Sequence, residues 1–101
     1  MDYKSKNEIE IEFSKAYSQA DELEKIAGEL SSIANSNVEN AFELLEKNWK
    51  GENAVKFIRK GGNTVIEMLD VADELLKVAK TIRITADLIY KAEKAALNSL
   101  F

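Results

Sequence analysis

Glu46–Lys47–Asn48–Trp49–Lys50–Gly51–Glu52 is a short polar interruption between two long helical patterns, and the fold follows from how it is read. On its N-terminal side apolar residues recur every three or four positions from Ile9 to Leu45; on its C-terminal side the same rhythm runs from Ala54 to Leu100. Asn48, Lys50 and Gly51 tolerate a turn, and Gly51 can adopt φ > 0 or lie against a neighbouring backbone because it has no Cβ. Trp49 is the only tryptophan. A loop tip has little use for one unless the ring folds back onto the helices. The stretch therefore predicts the corner of an antiparallel αα-hairpin. The expected fold class is all-α, with one helix over about 8–47, a turn at 48–51 and a second helix over about 52–99, in a single domain of 101 residues.

Cysteine, histidine and proline are all absent. Without Cys there is no disulfide framework or thiolate nucleophile, and without His and Cys neither structural zinc nor a Ser–His or Cys–His pair is available. The missing prolines and only four glycines suit long uninterrupted helices. The net charge is −4, unevenly spread: residues 1–47 hold eleven acids and five lysines (−6), residues 48–101 seven acids and nine Lys or Arg (+2). An acidic first helix beside a mildly basic second one is favourable. Lys56, Arg59 and Lys60 cluster, but a solvated helix face accounts for them, and an acidic chain without a sustained basic stripe is not expected to bind nucleic acid. No apolar run approaches the roughly 18–20 residues that span a bilayer, so no membrane insertion is expected. Met1–Asp2–Tyr3–Lys4 shows no signal-peptide pattern.

Along the first helix, residues 1–6 are polar and read as frayed. Asn7 with Glu10 has capping-box spacing, and Glu8 adds a negative charge in the first turn. The seam runs Ile9, Phe13, Ala16, Ala20, Leu23, Ala27, Leu30, Ala34, alternating steps of four and three. Tyr17, Ile26 and Ile33 widen it. The rhythm then slips by one: strict continuation puts Asn37 in the seam, whereas a four-residue step puts Val38 there, followed by Ala41 and Leu45. That is a stutter in a continuous helix. A break at Asn35–Ser36–Asn37, with Ser36 and Glu39 at capping-box spacing, is the competing reading. Phe42, Leu44 and Leu45 lie where they could cover Trp49.

The second helix carries Ala54, Ile58, Gly61, Val65, Met68, Ala72, Leu75, Ala79, Ile82, Ala86 and Ile89, then Glu93, Ala96 and Leu100. Gly61–Gly62 interrupts it at a cost of roughly 1–2 kcal/mol relative to alanine. Either the helix bends or breaks there, or Gly61, which falls on the seam, admits a close approach from the other helix. Seam residues alternate small and large on both arms, which lets facing layers interdigitate. One hairpin buries only the strip between its arms. Phe13, Tyr17, Ile26, Ile33, Phe57, Ile66, Leu69 and Leu76 cannot all lie in that strip, and left outside they exceed the apolar patch a soluble monomer normally shows. A four-helix bundle formed across a dimer is the expected remedy, its core drawn from Phe13, Leu23, Leu30, Phe57, Ile58, Leu69, Leu75, Leu76 and Ile82. A lone hairpin with a frayed far end is the alternative.

Paired carboxylates are the only catalytic inventory. Asp70 with Asp73 or Glu74, and Glu8 with Glu12, share helix faces, but such acids are usually solvated surface. Di-metal bundles want Glu-x-x-His pairs pointing inward. Gly61–Gly62 has no lysine–serine sequel and follows no strand, so it is not a phosphate loop. No enzyme, no metal and no cofactor are expected.

A chain of about one hundred residues with two long amphipathic helices and Trp49–Lys50–Gly51 at the corner between them, followed by Ala54 and Phe57, resembles the WXG100 (ESAT-6-like) family of type VII secretion proteins. The Trp-x-Gly triplet alone is unspecific; its central position gives it weight, and the resemblance covers roughly residues 7–100. It implies a hairpin that pairs head to tail with itself, with a related helical-hairpin protein, or with the N-terminal helical region of a larger toxin whose export it completes. Trp49 and Gly51 would pack near the partner's helix ends. The family's C-terminal export signal often reads tyrosine, three residues, acid. Here Tyr90 is followed by Glu93 one position early, and Lys94 stands where the acid is expected. A second form spaces hydrophobic, acid, hydrophobic, hydrophobic by four, three and four, which Ile89, Glu93, Ala96 and Leu100 fit. Only Glu93 adds information, because the other three already belong to the seam. A solvated, fraying terminus explains it equally.

Two functions from different classes follow. One is a WXG100-like protein, exported without a cleaved signal peptide or cytoplasmic before export, acting with the type VII machinery or as a toxin's export partner. The other is a non-secreted structural or regulatory coiled-coil module, which explains every seam residue and gives Trp49 no special part.

Overall fold

The computed structural model describes residues 4–100. Of the residues expected to fray, 1–3 lie outside this range. Two helical arms meet at a corner: α1 (Lys6–Ser32), a π-helical segment (Ile33–Val38) and α2 (Glu39–Asn48) form the first, and α3 (Glu52–Asn98) the second. The fold is an all-α helical hairpin.

The first cap differs from the expected one. The Glu8 amide donates to Ser5 Oγ at 3.1 Å and the Ile9 amide to the Ser5 carbonyl at 3.0 Å, so the capping residue is Ser5, not Asn7. Ser5 and Glu8 have the same three-residue spacing as Asn7 and Glu10. Burial of Ile9 (2 % exposed) rewards the longer helix.

At the slip in the seam the backbone stays helical, with Ser32 at φ −64°, ψ −43° and Glu39 at φ −63°, ψ −41°. Residues 33–38 switch instead to the wider π repeat. Leu30, Ala34 and Val38 are each four apart. An α-helix would rotate the third of them off the seam, and one inserted residue in a wide turn brings it back. Ala34, inside the segment, is fully buried. Asn35, Ser36 and Asn37 are carried on the exposed side.

The corner is short. The Trp49 amide donates to the Leu45 carbonyl at 2.7 Å and Asn48 Nδ2 to the Leu44 carbonyl at 2.8 Å, closing α2. Trp49 is extended (φ −122°, ψ 117°), and Gly51 at φ 116° turns the chain so that its carbonyl accepts from the Val55 amide at 3.1 Å. An L-residue at Gly51 is strained, so Gly51→Ala is expected to cost about 1 kcal/mol in urea unfolding, with helix content unchanged at low denaturant.

The chain forms two compact units: one draws on the described residues up to Glu24 and from Leu76 onward, the other is Lys25–Leu75. The core of both is thin. Among the described residues eight are buried, six of them alanines: Ala20 and Ala79 in the first unit with Ile9, and Ala27, Ala34, Ala54 and Ala72 in the second with Val65. Alanine at these positions lets the arms come close, and the larger seam residues Leu23, Leu30, Leu75 and Ile82 are half-buried. Gly61–Gly62 does not interrupt α3. A Cβ on Gly61 would stand inside the Phe42 ring, whereas one on Gly62 would meet nothing within 4 Å. Gly61 is a notch for an aromatic ring.

Candidate functional site

Each unit presents a surface of its own beside its seam. In the first unit it is a ladder of polar and aromatic groups. Tyr17 donates its hydroxyl to Asp87 at 2.7 Å, and Tyr90 donates to Glu10 at 2.7 Å. Lys94 adds an ion pair to Glu10 at 3.1 Å. Arg83 binds Glu24 and, at 2.6 Å, Asp21, with its guanidinium 5.9 Å from the Tyr17 ring centre. Phe13 lies between the two tyrosines, its ring centre 4.7 Å from Tyr17 and 4.5 Å from Tyr90, within the range of favourable tilted aromatic pairs. The partners run in opposite order along the two arms, as an antiparallel pair requires.

These contacts shift titrations in opposite senses. The Tyr90 hydroxyl, then the Lys94 ammonium, hold the Glu10 carboxyl below its ordinary value. Asp87 raises the Tyr17 phenol and Glu10 raises that of Tyr90. A depressed carboxyl contributes stability above its unfolded pKa and loses it as pH falls through the folded one. A raised phenol contributes below its unfolded pKa and loses that as pH rises through the folded one. Thermal melts across pH should therefore show a plateau that falls off below the ordinary glutamate range and again above about pH 10. Glu10→Gln should flatten the acid limb and Tyr17→Phe the alkaline one; unchanged limbs in both would refute the assignment.

In the second unit an apolar groove lies between α2 and α3. It consists of two adjoining depressions of about 420 and 400 Å³ that share Glu46 and Ile58. Val65, Ile66 and Leu69 floor the first beside Phe42; Val55 and Trp49 border the second next to the corner. Glu39, Glu43 and Glu46 line the α2 wall, and Lys50 and Arg59 stand at the corner end. Ile66 is 59 % exposed.

Trp49 does fold back, though not under Leu44. Its ring packs on Phe57 at 5.6 Å between centres, Phe57 packs on Phe42 at 5.9 Å, and Leu44 points to solvent. Of the residues expected in a shared core, Phe13, Leu23, Leu30, Ile58, Leu69, Leu75 and Ile82 are half-buried, whereas Phe57 and Leu76 are exposed. Ile89 and Leu100 are about half exposed and Ala96 is exposed; Glu93 is tied to Lys4 at 2.8 Å. The ladder was missed by reading the seam alone. Its signal is heptad spacing on one flank, Glu10, Tyr17 and Glu24 on α1 against Arg83 and Tyr90 on α3.

Among the described residues no three carboxylates gather to hold a metal ion, and no helix is long and apolar enough to cross a membrane. No family model matches the sequence, and no curated protein or solved structure matches it either. The groove of the second unit is apolar ground framed by charged side chains.

Proposed function

We propose that this chain is a small, non-catalytic helical-hairpin interaction module, a structural or regulatory coiled-coil subunit that covers its apolar flanks by pairing with another helical chain. One observation carries the reading. Fifteen large apolar side chains are exposed among the described residues while the buried core is mostly alanine. Ile26, Ile33 and Val71 on one flank of the second unit, and Val55 and Ile66 on the other, are large apolar side chains left about half exposed. Light scattering across concentration, with affinity purification from the native host, tests it. A self-associated species or a helical partner in stoichiometric amount is expected. A monomer at all concentrations with no such partner overturns it.

A second reading, export as a WXG100-like protein or as a toxin's export partner, is favoured by the corner alone: Trp49 extended and packed on Phe57, with Gly51 at positive φ. Glu93 would serve as the acidic element of the tail with Ile89, Ala96 and Leu100 around it. Secretion assays of Trp49→Ala and Glu93→Ala decide it. Retention of the unaltered chain in a cell with a working type VII system removes it.

A further inference from the structure

The outer face of α3 in the first unit carries apolar residues that a hairpin does not explain. Ile84 stands two residues from both Ile82 and Ala86 of the seam, hence on the opposite side of the helix, and is 51 % exposed. Leu88, one turn on, is 64 % exposed. Lys80 and Lys91 bracket the pair at four and three residues, so all four share one face. Neither lysine takes part in an ion pair among the described residues. A bundle closed through the flanks of the seam would leave this ridge wet.

The groove of the second unit has the opposite character. Its floor is apolar, and Glu39 and Glu43 on its wall have no ion-pair partner among the described residues and no cation lining the groove beside them. Lys50 and Arg59 lie at the corner end, nearer Glu46. From Val55 to Leu69 the α3 side of the groove is about 21 Å long, and Lys80 to Lys91 spans about 16 Å of helix. A one-turn apolar ridge edged by lysines fits within the length of an apolar trough edged by carboxylates and is opposite to it in charge.

We propose that the ridge of one copy of this chain docks in the groove of a second copy, Ile84 and Leu88 against Ile66 and Leu69, with Lys80 and Lys91 meeting Glu39 and Glu43. The contact joins two different surfaces, so it is heterologous, and a docked pair keeps one free groove on one copy and one free ridge on the other. This builds on the interaction-module reading by naming the partner and the register.

The test uses two variants of the whole chain, Ile66→Asp in the groove and Leu88→Asp on the ridge. Both positions are exposed, so helicity by circular dichroism should be unchanged. In sedimentation velocity the unaltered chain should grow beyond a dimer or close a ring as concentration rises. Each variant alone should be monomeric. Mixed, they should form a one-to-one pair that grows no further, because only one intact groove and one intact ridge remain. Lys80→Glu with Lys91→Glu should weaken association at least about tenfold, and adding Glu39→Lys with Glu43→Lys should restore it. A mixture that stays monomeric, or either variant still dimerising alone, overturns the proposal. An unaltered chain that never self-associates also overturns it; if a helical partner then co-purifies, the interaction-module reading stands, and if none does, both fall.

Discussion

Phe13→Ala should destabilise the chain by about 2–4 kcal/mol, the largest loss expected from any single truncation in the first unit. The ring is half-buried, so the cost falls below that of a fully enclosed phenylalanine. It is nonetheless in tilted contact with Tyr17 and Tyr90, and each of those rings donates a hydrogen bond to an acid on the opposite arm. Removing Phe13 takes away the apolar ground on which both phenols are aimed. Two consequences separate this from loss of area alone. Near-ultraviolet tyrosine circular dichroism should collapse with the mutation. The acid limb of the stability profile should also weaken, because Glu10 loses its oriented donor. Leu23→Ala removes a half-buried side chain outside the ladder and should leave both signals in place. If Phe13→Ala costs less than about 1 kcal/mol, the ring is not the support we take it to be.

The ladder also gives a structural reason for the lysine at position 94. Lys94 is paired with Glu10 and lies 5.5 Å from the Tyr90 ring centre. A carboxylate there would face Glu10 directly. Glu93 faces Lys4 instead. Tyr90, Glu93 and Lys94 therefore each have a partner within their own unit.

Much of the architecture could be read from letters because helical periodicity is a strong signal. The seam, the corner and the slip before Val38 all follow from counting threes and fours. Which residue caps α1 could not be read, because Ser5–Glu8 and Asn7–Glu10 offer the same spacing and burial of Ile9 decides between them. The ladder and the groove needed the register between the arms. That register depends on the extra residue absorbed by the π segment and on the length of the corner, two small quantities that displace every cross-arm pair if either is off by one. The exposed ridge at Ile84 and Leu88 was legible but overlooked, since a stripe read from its centre outward ends before reaching the far side of the helix.

Gly61→Ala and Gly62→Ala should move stability in opposite directions, although the two positions are adjacent in one helix and gain the same helix propensity. Alanine at Gly62 meets open space and should stabilise by about 0.5–1 kcal/mol. At Gly61 the new methyl would occupy the Phe42 ring position. The backbone of α3 cannot retreat cheaply, so the ring must swing out, abandoning Phe57 and the groove wall it shares with Ile58 and Leu69. Lost packing then outweighs the propensity gain, for a net cost of about 1–2 kcal/mol and a swing of about 1.5–3 kcal/mol between neighbours. The explanation is testable by its own removal. In a Phe42→Ala background the obstruction is gone, and Gly61→Ala should become stabilising by the same amount as Gly62→Ala. Urea unfolding of the four combinations measures this coupling. If Gly61→Ala stays destabilising without the Phe42 ring, the glycine is required by backbone geometry rather than as a notch.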